Sequence, residues 1–272
     1  MESTRADLRR LRAAHSFLAA RSFYPLLLSS ALAYGLLAVR IGRTHSWAET
    51  WLAWNLILAW VPYVASLWAL SAHLRRPHRP WLLLVPGALW LIFLPNAPYI
   101  VTDFVNLSVH RADHWVFWYD TVQLAIFAWT GCILGVTSLS IMHSLVRAFA
   151  GRAVSWLFVL GATGLCGVGV YLGRFHRWNS WDLLTNPSGI LADVLAVANH
   201  PASDLRPWGL SGLFAAFMFV CYVTFTSARA GLTAATPLAD DRAITAEPPL
   251  APLLPADLPA QRGAGPAVAD LD

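Results

Sequence analysis

The 272-residue chain contains no lysine; all 19 of its basic residues are arginine. Charged residues of either sign make up only 12% of it, against about 25% in a soluble domain. So few ions cannot cover a soluble surface of this size, and a soluble enzyme is excluded. A chain that is 57% hydrophobic is also neither wholly disordered nor collagen-like. Cysteine is scarce: Cys132, Cys166 and Cys221 each lie inside an apolar run and form neither a C-x-x-C pair nor a zinc spacing. They are expected to be small buried side chains. No nucleophile stands beside a base, and no phosphate loop or cofactor fingerprint is present. No cofactor or metal is therefore assigned, and whether the protein is an enzyme is left open. No internal repeat supports an inverted-repeat transporter.

What the chain has is long apolar runs. A membrane-crossing helix needs about 20 mostly apolar residues. Six runs qualify: 22–39, 50–72, 81–101, 121–142, 153–173 and 208–228. None alternates as a membrane barrel strand would, and helices satisfy their own backbone without water. The expected fold class is all-α, a polytopic transmembrane bundle of about six spans. Ahead of it lies a basic arm, residues 1–21, and after it a tail, 229–272, rich in proline and alanine. The tail has too few large apolar groups to fold and is expected to be disordered. In the arm, Thr4 and Asp7 resemble a capping box, and Leu8, Leu11 and Leu18 recur at helical spacing. This is read as a topogenic arm, with a surface helix on anionic lipid as the alternative. Residues 31–33 imitate a signal-peptide cleavage site, but cleavage there would cut the first apolar run, so that helix is expected to stay.

Arginine positions give an orientation. The arm, the 75–79 loop, the 147–152 loop and the tail hold most of them; Arg40, Arg43, Arg111, Arg174, Arg177 and Arg206 lie on the other side. The richer side is expected to be cytoplasmic. That places both termini in the cytoplasm and the protein in the cytoplasmic (inner) membrane. The basic residues border apolar spans, so membrane topology explains them and nucleic acid is not expected as a partner; the lipid bilayer is.

Polar residues with chemical potential gather after spans three and five. Span three contains Pro95-Asn96-Ala97-Pro98-Tyr99, about 21 Å from its start at Trp81. The break thus falls within a hydrocarbon core about 30 Å thick, where irregular backbone must be buried in protein or line a wet cavity. Asn96 and Asp103 are its candidate site residues; the structural alternative is a kink with Asn96 capping freed carbonyls. Asp120 and Gln123, one turn apart, open span four. An acid at that depth is a functional suspect, or the partner of an arginine. Span five ends in Arg174, Arg177, Trp178, Asn179, Trp181 and Asp182. If the helix runs on, Arg174, Arg177, Trp178 and Trp181 share one side. The planar arginine forks suit a carboxylate, a phosphate or an anionic lipid; interfacial anchoring is the plainer role. His110 and His114 have the spacing of a metal pair but sit in a loop, and no metal site is assigned. Gly131-x-x-x-Gly135 and Gly169-x-x-x-Gly173 point to close helix packing, expected to bring Asp120 near Arg174.

The blocks running from Leu94 to Asp103, from Trp118 to Asp120 and from Gly173 to Asp182 resemble the hallmarks of a bacterial multi-pass membrane family, domain of unknown function 1361. The resemblance covers about residues 25–228. It implies an integral membrane protein and no defined activity.

The combined expectation is a polar cavity on the non-cytoplasmic face. Asp103 and Asp120 are the candidate catalytic acid and base. Asn96, Tyr99, Arg174, Arg177, Trp178, Asn179, Trp181 and Asp182 are the candidate substrate-binding residues. A membrane-embedded enzyme acting on an anionic lipid or cell-envelope molecule fits such a one-sided cavity. A non-catalytic assembly or accessory protein fits equally well. A small-molecule or ion transporter is disfavoured, because spans one and six offer almost no polar path.

Overall fold

A computed structural model of the chain describes residues 15–110, 114–199 and 205–235. Most of the basic arm and nearly all of the tail lie outside these residues, as do the side chains of His110, Asp113 and His114. The chain divides into two compact units, Met1–Arg229 and Ala230–Asp272, and the helical bundle is the first. Every regular element among the described residues is helical: α1 (Phe23–Thr44), α2 (Trp51–Arg75), α3 (Leu84–Phe93), α4 (Asn96–Tyr99), α5 (His114–Tyr171), α6 (Asp182–Thr185), α7 (Pro187–Asn199) and α8 (Arg206–Ala235).

Five helical stretches are long and apolar enough to cross a membrane. The fourth, Trp115–His176, is 62 residues long, about three times the length one crossing needs. It is not one rod. Gly151 inside α5 has φ 80 and ψ −177, a conformation that glycine alone adopts freely. The two limbs of α5 turn back on each other there. His143 Nε2 and Ser155 Oγ, twelve residues apart, are 3.0 Å from one another; a continuous helix would separate them by about 18 Å. The fourth and fifth crossings are thus a tight hairpin, and the all-α polytopic bundle has six.

The core follows from small steps in the pattern. On α1 the buried residues are Leu26, Ser30, Ala33, Leu37 and Arg40, alternating steps of four and three that keep one seam toward a neighbouring helix. The opposite faces carry Leu28, Leu32 and Val39, more than half exposed. Large apolar side chains are exposed on the other long helices too, including Trp54, Leu157 and Leu213, the surface a bilayer solvates. Most buried polar groups find partners inside the bundle; Gln123 Oε1 and Thr137 Oγ1 do not. Trp90 Nε1 donates to Ser138 at 3.1 Å, and Ser29 meets Thr130 at 2.5 Å. His143 bridges both limbs of α5 and α8, through Ser155 and the Tyr222 hydroxyl.

The break in span three organises the rest. Pro95 has no N–H to return to the helix, so α3 stops at Phe93 and a separate turn, α4, begins at Asn96. The glycine pairs clasp this break. A Cβ on Gly131 would lie 2.5 Å from the Ala97 carbonyl oxygen, and one on Gly135 would lie 2.7 Å from the Ala97 Cβ. On the other limb, a Cβ on Gly169 would lie 2.4 Å from Pro95, and one on Gly173 would lie 3.1 Å from the Tyr99 ring. The glycines do serve close packing, but against the broken segment. That corrects the expectation that they join spans four and five and bring Asp120 to Arg174.

The connection between spans five and six contains α6 and α7, and residues 187–196 form an apolar helix too short to span.

Candidate functional site

Spans one, three and five end, and spans two and four begin, at the same end of the bundle, and two charge clusters lie there. In the first, Arg40 Nε and Nη2 donate to the two Asp120 oxygens at 2.6 and 3.0 Å. The same Nη2 lies 2.7 Å from Glu49 Oε1. Gln123 Nε2 donates to Glu49 Oε2 at 3.1 Å, while its own Oε1 is buried with no partner. Arg40, Asp120 and Gln123 are all at most 5% exposed. Asp120 therefore pairs with an arginine, but with Arg40 and not with the span-five arginines. The guanidinium fork matches a carboxylate edge, and a pair this deep holds only because each charge has a partner.

The second cluster opens on a cavity. Asp103, 2% exposed, accepts from Arg174 Nη1 at 3.1 Å through one oxygen and from Asn55 Nδ2 at 3.2 Å through the other. Asn55 and Arg174 line a cavity of about 900 Å³. Its floor and walls come from α2, the α3–α4 break, the second limb of α5, and α6 and α7. The polar part holds Asn96, Tyr99, Asn106, Arg177, Asn179 and Ser180 with those two; the apolar part holds Leu58, Ile92, Val168 and Val194 among others.

Of the candidate residues, Asn96, Tyr99, Arg174, Arg177, Trp178 and Asn179 line this cavity. Asp103 stands behind it, gripping two residues that do. Asp120 belongs to the other cluster. Trp181 is beside the rim, edge-on to Trp54 with ring centres 6.4 Å apart. Asp182 accepts from the Asn179 backbone N–H at 2.7 Å and shapes the turn there. Asn96 unites its two expected roles. It donates to the Phe93 carbonyl at 3.0 Å, which the proline break frees, and to Ser180 at 2.8 Å, which ties span three to the chain after span five.

Span five does not run on as a helix. It loosens into a π turn over Leu172–His176 and ends at Arg177, whose φ of 58 is left-handed. The shared side expected for Arg174, Arg177, Trp178 and Trp181 is therefore lost. Trp178 turns its Nε1 to Asp193 on α7 at 2.7 Å, and His176 Nδ1 lies 2.9 Å from the same carboxylate oxygen. Glycine is the usual residue in such a helix-ending position. An arginine there accepts backbone strain, and such strain collects at functional sites.

Sequence reasoning missed Arg40, Trp54 and the cavity face of α7. Arg40 had a signal: it continues the Leu26, Ser30, Ala33, Leu37 seam by one more step of three. Ile190 and Val194, one turn apart on α7, line the cavity, but an apolar stretch of that length does not declare what it covers. No group of three or more metal-ligating side chains gathers among the described residues.

Apolar spans in a helical bundle, with the buried charges paired, define an integral, multi-pass membrane protein. The chain matches the family model described as "Protein of unknown function (DUF1361)" over residues 54–225, more than half its length, and belongs to that family. No curated protein and no solved structure matches it.

Proposed function

We propose that this protein binds an anionic lipid or cell-envelope molecule in the cavity between α2, the α3–α4 break and the second limb of α5, on the non-cytoplasmic face of the inner membrane. One observation carries the reading: two arginines face the cavity, and among the described residues only Arg174 has a carboxylate partner. Arg174 shares its charge with Asp103. Arg177 lines the cavity and is exposed. Asp182 and Asp193 are held by hydrogen bonds from Asn179 and Trp178, with His176 beside Asp193, and none of these bonds is to Arg177. A cavity with an apolar wall and two guanidinium groups in its polar lining suits an amphiphile with a negative head.

In this reading Asp103 is a positioning residue. It fixes the Arg174 fork, and a general acid or base role would require its release from both Arg174 and Asn55. Asp120 braces span one against span four. The assignment is to binding, and the assembly or accessory role is the competing reading. The test is the identity of what co-purifies in mild detergent. Mass spectrometry should find an anionic amphiphile enriched over bulk membrane lipid in the wild-type protein and depleted in Arg177→Gln. Equal composition in both, matching the bulk membrane, would overturn the reading.

A further inference from the structure

The same cavity has a second opening. Leu91 on α3 and Leu165 on the second limb of α5 both line it, yet Leu91 is 37% and Leu165 56% exposed. Exposure continues along the same limb through Leu157 and Leu160, 67% and 51% exposed, so the outer apolar surface of the bundle runs into the cavity at Leu165. Leu165 lies nine residues before Arg174, about 13 Å along the helix axis. It lies thirteen residues after Arg152, about 20 Å from the other end. Together these lengths match the hydrocarbon thickness of about 30 Å, so Leu91 and Leu165 sit near the middle of the apolar core. Around them the lining is Leu58, Ile92 and Val168, with no charged group. An opening there faces acyl chains and not water.

Resting on the anion-binding reading, we infer that the ligand is a bilayer lipid with an anionic phosphate head group. It enters sideways between α3 and the second limb of α5, with its head at Arg177 and its tail leaving past Leu91 and Leu165. Size supports this. A cavity near the upper end of the 300–1,000 Å³ range encloses a drug-sized ligand, enough for a head group and the start of one chain. The remainder of a lipid must lie outside, and the edge at Leu91 and Leu165 lets it lie in the bilayer. Chemistry supports it too: Arg174 and Arg177 both line the cavity, and a guanidinium fork suits a phosphate oxygen pair. A small soluble anion would need neither the mid-membrane opening nor the apolar lower wall.

The test uses the full chain in nanodiscs of phosphatidylcholine with a minor fraction of phosphatidylglycerol, with bound lipid counted by native mass spectrometry. Wild type should retain phosphatidylglycerol selectively, and added inorganic phosphate should not displace it. Arg177→Gln should lower retention by about tenfold, the loss of one charge-assisted contact. Leu165→Trp, which narrows the opening, should lower it as well. Leu160→Trp, on an exposed part of the same limb, should leave it unchanged and controls for folding. If Arg177→Gln abolishes binding but Leu165→Trp does not, or inorganic phosphate displaces the lipid, sideways entry is wrong while anion binding stands. If wild type shows no preference for phosphatidylglycerol and Arg177→Gln changes nothing, both fail. Should Leu165→Trp not fold, Leu91→Trp narrows the opening from its other side.

Discussion

Arg40 and Arg174 each neutralise a carboxylate at the same end of the bundle, but the Arg40 side chain is 6% exposed and that of Arg174 26%. Arg40 spends its fork on Asp120 and reaches Glu49 as well, in a buried cluster drawn from α1, the turn before α2, and α5. Arg174 gives Asp103 one nitrogen and presents the rest of its head to a cavity. Alike in chemistry, the clusters differ in what lies beside them. Where helices close over an ion pair, the pair fixes which helices are neighbours. Where a proline break and a left-handed turn hold the helices apart, the pair aims a cation into the space that remains.

The largest effect tests whether the two clusters share a membrane face at all. A periplasm-active reporter fused after Asp113 or Asn186 should be active, and one fused after Pro77 or Ala228 should not. Activity at Ala228 would mean an odd number of crossings and would place the clusters on unexpected sides.

Next comes stability. Arg40→Ala strands two carboxylates in a closed site and should cost about 3–5 kcal/mol, read as a lower melting temperature in detergent. Arg174→Ala leaves Asp103 with Asn55 and an adjacent cavity for water, and should cost less, about 2 kcal/mol. The reverse order would make the span-five cluster the main brace and dissolve the contrast. Asp103→Asn is milder again: it keeps the shape, holds the fold and leaves Arg174 without its counter-charge. Bound anionic lipid should then change while melting shifts little; a melting loss as large as that of Arg174→Ala, with lipid unchanged, would mark Asp103 as structural only.

The smallest effect is opposite in sign. Arg177 has φ 58, where glycine is unstrained, so Arg177→Gly should raise stability slightly, by about 0.5–1 kcal/mol, while losing the bound lipid. A fall in melting temperature would show that the arginine side chain holds the turn together.

Much of this molecule is legible without coordinates. The scarcity of charge and six apolar runs specify a polytopic helical bundle, because a bilayer accepts no lipid-exposed alternative but a closed barrel, whose alternation the sequence lacks. Pro95 and Pro98 specify where span three breaks, because proline has no donor for the preceding turn. The glycine pairs specify close approach, because only a missing side chain permits it. The sequence could not name the partners. Gly131 and Gly169 pack on the Pro95–Ala97 break, Asp120 chose Arg40 over Arg174, and α7 folded back against the cavity. Which carboxylate meets which guanidinium depends on helix rotation and on a left-handed turn at Arg177. Those are set by how all six crossings pack at once, and a one-dimensional pattern carries periodicity but not the angles between helices.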